Sequence, residues 1–136
     1  MDKTKLTLID HVALTVADVE VSSAYYLGLF GGKVIRDYRN EERSLVRAIL
    51  IGGGVQLSIH QLGNGVDLVA RQPTPGSADI CFRFAGRIEE ARDLLLNNGV
   101  EIVEGPAPRD DCEGRPAQSV YFHDPDGNLI ELMVTD

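Results

Sequence analysis

The chain has 136 residues, with 13 Lys and Arg against 21 Asp and Glu, a formal net charge of −8. That length suits one domain with a real core, and 43% apolar content argues against disorder. The acidic balance argues against nucleic-acid and anionic-membrane partners, and no apolar run nears the ~20 residues that span a bilayer.

In chain order, the Met1–Lys5 start lacks a signal-peptide stretch, so a cytoplasmic location is expected. Leu8–Val16 is β-branched and reads as a strand. Asp18 follows as an N-cap, and Val19, Ala24, Tyr25, Leu27 and Leu29 suggest a helix ended by Gly31 and Gly32. Lys33–Tyr38, Ser44–Ile51 and Val55–Gln61 read as strands, the last two joined by a turn at Gly52–Gly54. A linker rich in Gly and Pro runs to Gly76. Ala78–Phe84 then reads as a strand and Ile88–Asn98 as a helix closed by Gly99. Val100–Glu104 is expected as a strand, followed by a loop through Pro116. Gln118–His123 and Asn128–Val134 flank a β-turn at Asp124–Gly127. Two cysteines, Cys81 and Cys112, fit free thiols in a reducing compartment.

The order β-α-β-β-β therefore occurs twice. His11 and Asp79 hold matching places in the two first strands, at an offset of 79 − 11 = 68. Ser58 and Glu131 match in the two last strands, at an offset of 131 − 58 = 73. One domain is expected over 1–136: module one at about 6–62, a linker at about 63–76, module two at about 77–136. The fold class is α+β, two βαβββ modules forming a curved mixed sheet.

His11, Asp79 and Glu131 stand in largely apolar strands, where an unpaired charge is costly. Equivalent positions of two facing modules converge on a pseudo-twofold axis, and a cation there gives all three a common purpose. Imidazole and carboxylate suit a divalent ion such as Mn, Fe, Ni, Zn or Mg. A hydrogen-bonded core histidine at 11, a surface carboxylate at 131 and a capping role for Asp79 are the plainer alternatives. His123, in the turn, reads as structural, and Asp124, Asp126 and Gly127 read as a β-turn rather than a calcium loop. Arg47 and Arg83 suit salt bridges more than anion binding.

Four stretches carry a family resemblance: Ile9–Val16; Ala24–Tyr26 with Leu29–Gly31; Pro75–Phe82; and Tyr121–Glu131. On these the chain resembles the vicinal oxygen chelate superfamily, which includes glyoxalase I, bleomycin-resistance proteins and extradiol dioxygenases. Pro75–Asp79 and Leu57–Gln61 look most like the group called glyoxalase-domain-containing protein 5. The resemblance implies paired modules, a homodimer and a divalent metal held from the first and last strands of each module. His11 and Glu131 match the ligand positions in type. Asp79 stands where the family more often has His, and Ser58 where glyoxalase I has Glu. His60, two residues beyond Ser58 on the same face, could supply a further imidazole or act as a base.

The expected function is thus a metal-dependent enzyme, glyoxalase-like lyase or isomerase or dioxygenase-like. Its small-molecule substrate chelates the metal through adjacent oxygens. The metal ligands are His11, Asp79, Glu131 and His60, with Glu131 and His60 as proton carriers. The alternative is a metal-free, bleomycin-resistance-like protein sequestering a cationic small molecule. It is motivated by the net −7 of residues 69–136, which carry 6 basic and 13 acidic side chains. A third reading is a structural or regulatory partner domain, supported by a disordered-looking loop at Arg109–Pro116 that could equally be an active-site lid.

Overall fold

The computed structural model describes residues 3–135. Its elements are β1 (His11–Val16), α1 (Val19–Phe30), β2 (Gly32–Arg39), β3 (Ser44–Ile51), β4 (Val55–Gln61), β5 (Asp79–Arg83), α2 (Ile88–Asn97), β6 (Glu104–Asp110), β7 (Pro116–His123) and β8 (Leu129–Thr135). The doubled βαβββ order is as the sequence implies. The strands form two sheets of four, ordered β1-β4-β3-β2 and β5-β8-β7-β6. In each, the first strand runs parallel to the last and lies at the sheet edge. The helix and two strands between them form the long crossover that a parallel pair needs.

Local chemistry explains the boundaries. Asp18 caps α1 by accepting from the Glu20 and Val21 amides, and Gly31 ends it at φ 72°. The second module departs from expectation in one strand. Residues 100–103 are not strand, and β6 instead occupies Glu104–Asp110, across the expected loop. Pro106 and Pro108 hid it, because proline cannot donate to a ladder. They alternate along a sheet-edge strand, so both missing N–H groups fall on one side. The remaining turn is also held, not loose. Asp111, its carboxylate fully buried, accepts from the Glu113 and Arg115 amides and from Arg115 Nε at 2.8–2.9 Å. The Arg115 amide, ahead of burial's opposing effect, holds the Asp111 carboxyl down at about 2.

Strand alternation divides each sheet into two faces. Leu14, Val16, Leu57, Ile59 and Ile49 face α1, while Val120, Phe122, Ile130 and Leu132 occupy the corresponding face of sheet two. These residues and both helices form one contiguous core across the two modules, with Phe30 edge-on to Phe82 at 6.2 Å between ring centroids. Arg47 also lies on the α1 side, where it binds Glu20, Ser23 and Asp37. It is a salt-bridge residue, as its strand position suggested.

The Asp124–Gly127 turn does more than reverse the chain. Asp124 is 5% exposed and accepts from Tyr26 Oη at 2.6 Å, Asn128 Nδ2 at 2.8 Å and the amides of Asn128 and Asp126 at 2.9 and 3.0 Å. Asp126 accepts from the Ala17 amide and from Ser22 Oγ. Asn128 Oδ1 accepts from the Ala78 amide at 2.9 Å. Gly76, at φ 79°, passes so close that a Cβ would lie 2.6 Å from the Asp126 carbonyl oxygen. One turn of module two thereby clasps α1 of module one and the start of β5.

Candidate metal centre

The faces turned away from the helices carry the candidate chemistry. On sheet one these positions are His11, Ala13 and Thr15 of β1 and Gln56, Ser58 and His60 of β4. Thr15 pairs with His60, and Ala13 with Ser58. The 62–78 linker forms part of the wall of a cavity of about 440 Å³ on this side. His11, Thr15, His60, Leu68, Pro73 and Asn128 are among its lining residues.

Within it His11 is half exposed, its Nδ1 2.9 Å from Asp10 Oδ1, which leaves Nε2 free to meet a ligand. His60 Nδ1 is buried and has no hydrogen-bond partner among the described residues. Burial, and secondarily the nearby His11, lower the His60 pKa. A neutral imidazole with an unused buried nitrogen is competent to bind a metal or accept a proton.

On sheet two the equivalent face carries Asp79, Cys81 and Arg83 of β5 and Glu131 of β8, with Cys81 paired to Glu131. The internal match holds in register. Ser58 pairs with the residue two after His11, and Glu131 with the residue two after Asp79. Burial first, then the Glu131 charge, push the Cys81 thiol up to about 11, so it is no nucleophile at neutral pH. Arg83 lies 3.4 Å from Asp111 Oδ2, the other member of the pair that sequence favoured as a salt-bridge residue.

Sequence reasoning missed Tyr121, which stands directly opposite Glu131, and Arg109, whose Nε donates to Tyr121 Oη at 2.8 Å. Burial raises the Tyr121 pKa, keeping it a protonated donor. Counting outward from the turn would have found Tyr121, since His123 pairs with Leu129 and each step of two preserves the face. Ser119, fully buried on that face, also has an Oγ with no hydrogen-bond partner among the described residues. The His123 carbonyl accepts from Tyr25 Oη at 3.4 Å.

The four predicted ligands thus divide two and two. Among the described residues, no three His, Cys, Asp or Glu side chains are arranged to hold a metal within one chain. The donor types suit a divalent ion. His60 Nδ1 has no partner among the described residues, and His60 sits beside Thr15, four residues along β1 from His11, while Glu131 sits two residues along β5 from Asp79.

A sequence profile of the Glyoxalase/Bleomycin resistance protein/Dioxygenase superfamily matches residues 8–132. The chain is 37% identical over 124 residues to "Virulence protein STM3117" of Salmonella typhimurium, covering 91% of this chain and 81% of that protein. A solved structure from the mobile metagenome of V. Pseudocholerae is 34% identical, with a TM-score of 0.84 over 98% of both chains. The fosfomycin resistance protein FosX of Listeria monocytogenes, solved with Mn(II) and a sulfate ion, shares the fold at a TM-score of 0.63. It is 22% identical, over 96% of this chain and 94% of that one. No helix among the described residues is long and apolar enough to cross a membrane.

Proposed function

The chain belongs to the glyoxalase/bleomycin resistance protein/dioxygenase superfamily, and from that premise we propose that it is a metal-dependent enzyme whose site is completed by a second copy. The observation that carries this reading is the two-and-two division of the candidate ligands on strands β1 and β5. Each of those strands is a sheet edge, and each places its candidate at its first residue. In a homodimer, β1 of one subunit faces β5 of the other. His11 and His60 then meet Asp79 and Glu131 of the partner subunit, and the two sheets make up the single curved surface the repeat implies.

Surface area supports an oligomer. A chain of 14.8 kDa is expected to expose about 7,000 Å² as a folded monomer. This one exposes 8641 Å².

His11, His60 and the partner's Asp79 and Glu131 would hold the ion, which would supply Lewis acidity toward a substrate presenting two adjacent oxygens. The chain's own residues supply the rest. His60, neutral, either ligates the ion through Nδ1 or, where it does not, accepts a proton there. Tyr121 Oη, fixed by Arg109, donates toward the Glu131 side of the site. The manganese-containing FosX structure supports the choice of Mn(II) as first probe.

Sequestration of a cation is the weaker reading. Several acids that motivated it are ion-paired: Glu104 lies 2.6 Å from Arg109, and Asp111 pairs with both Arg83 and Arg115. Metal-stripped protein titrated with Mn(II) should bind one ion per chain and sediment as a dimer. Stoichiometric binding by a monomer, or no binding, would overturn the reading.

A further inference from the structure

The two candidate histidines of sheet one line the cavity of about 440 Å³ that is walled in part by the segment between the modules. Although 25% of the chain is charged, no Lys, Arg, Asp or Glu among the described residues lines that cavity. The segment sorts its own residues accordingly. Over 67–74, Leu68, Val69, Ala70, Gln72, Pro73 and Thr74 line the cavity. Asp67 and Arg71, the two charged residues of that stretch, do not, and both are exposed. We propose that the substrate, beyond its two chelating oxygens, presents an uncharged and largely apolar group, and that Leu68, Val69 and Pro73 select it. The proposal rests on the metal site described above and names the substrate class of that site.

The state of the lining agrees. Leu68 is 94% and Val69 39% exposed, and both gain from apolar cover. Polar liners are partly spent within the protein. Ser77 Oγ donates to the Thr74 carbonyl at 2.8 Å. Asn128 Oδ1 accepts from the Ala78 amide, and its Nδ2 donates to Asp124. An ionised group placed among them loses water and meets no opposite charge, which is costly.

Cations on the neighbouring surfaces are engaged or distant. Arg83 lies 3.4 Å from Asp111, and Arg109 lies 2.6 Å from Glu104. Lys33 and Arg36 stand on β2, two strands beyond β4 and so roughly 10 Å across the sheet. A cationic group fares no better in the cavity. Asp10, the acid beside His11, is already hydrogen-bonded to the His11 Nδ1 at 2.9 Å.

Three probes that differ only in charge test this: 4-methyl-, 4-carboxy- and 4-(aminomethyl)benzohydroxamate, each titrated into Mn(II)-loaded protein. The hydroxamate presents the same two adjacent oxygens in all three. After allowance for each probe's affinity for free Mn(II), the methyl probe should bind at least about tenfold tighter than either charged one. Leu68→Lys should improve the carboxylate probe relative to the methyl probe by about fivefold, and Leu68→Asp should do the same for the aminomethyl probe. Leu68 is so exposed that both variants should fold like wild type. Equal affinities, a preference for a charged probe, no binding of any probe, or ratios indifferent to residue 68 would each overturn the proposal. Titration with Mn(II) alone reports the metal site separately. Metal bound, with no ranking among the probes, leaves that site and removes the substrate class. A ranking kept by protein that binds no Mn(II) leaves the substrate class and removes the metal.

Discussion

His11→Ala and Glu131→Ala should each weaken Mn(II) binding by at least about a hundredfold, read by titration of metal-stripped protein. Losing an outer-shell partner alone costs 10- to 100-fold, so losing a ligand should cost no less. Both side chains project from sheet faces away from the core, and neither is buried. Removing them opens no core cavity, so the thermal midpoint of the metal-free protein should stay within a few degrees of wild type. That pairing of outcomes distinguishes a ligand from a structural residue. His123→Ala is the internal control. Its side chain is exposed and is not one of the four candidate ligands, so binding should be unchanged. A His11→Ala variant that binds Mn(II) like wild type would remove β1 from the site.

Asp124→Ala should be the most destabilising single change, by about 4 kcal/mol. Its carboxylate is buried and accepts four hydrogen bonds, two of them from side chains that are themselves buried, Tyr26 and Asn128. Truncation leaves those donors without acceptors, and an unsatisfied buried group costs about 1–3 kcal/mol. The expected fall in thermal midpoint is on the order of 15 °C for a chain this size. Tyr26→Phe removes one donor and leaves the carboxylate three partners, so it should cost about 1–2 kcal/mol. Equal losses in the two variants would mean that the aspartate acts through Tyr26 alone. A loss below about 1 kcal/mol for Asp124→Ala would mean that the clasp does not hold the modules together.

This clasp marks the edge of what sequence could tell. Asp124–Gly127 was legible as a turn because those residue types favour turn backbones locally. Its reach to Tyr26, 98 positions away, depends on packing between modules and has no local signature. The module repeat was legible because hydrophobic periods and glycine stops recur in the same order. Strand β6 was not, because Pro106 and Pro108 mimic a loop and only the open edge beside them permits a strand.

The faces of the candidate residues could be read as well. Strand parity put His11 and His60 on one face and Asp79 and Glu131 on matched places in the repeat. Tyr121 was within reach by counting outward from the turn, whereas Arg109 escaped because it lies on β6, the strand that Pro106 and Pro108 disguised. A repeat places the candidate positions on two matched modules, and does not say whether one chain or two would bring them together.

That question has a direct measurement. His11→Ala and Glu131→Ala chains are each purified, unfolded together, refolded in equal amounts and titrated with Mn(II). If the site is shared between subunits, half of the dimers are mixed. Each mixed dimer carries one intact site, built from His11 of one chain and Glu131 of the other, so the mixture recovers about a quarter of wild-type sites. If each site lies within one chain, no combination restores it, and the mixture binds no more metal than either variant alone.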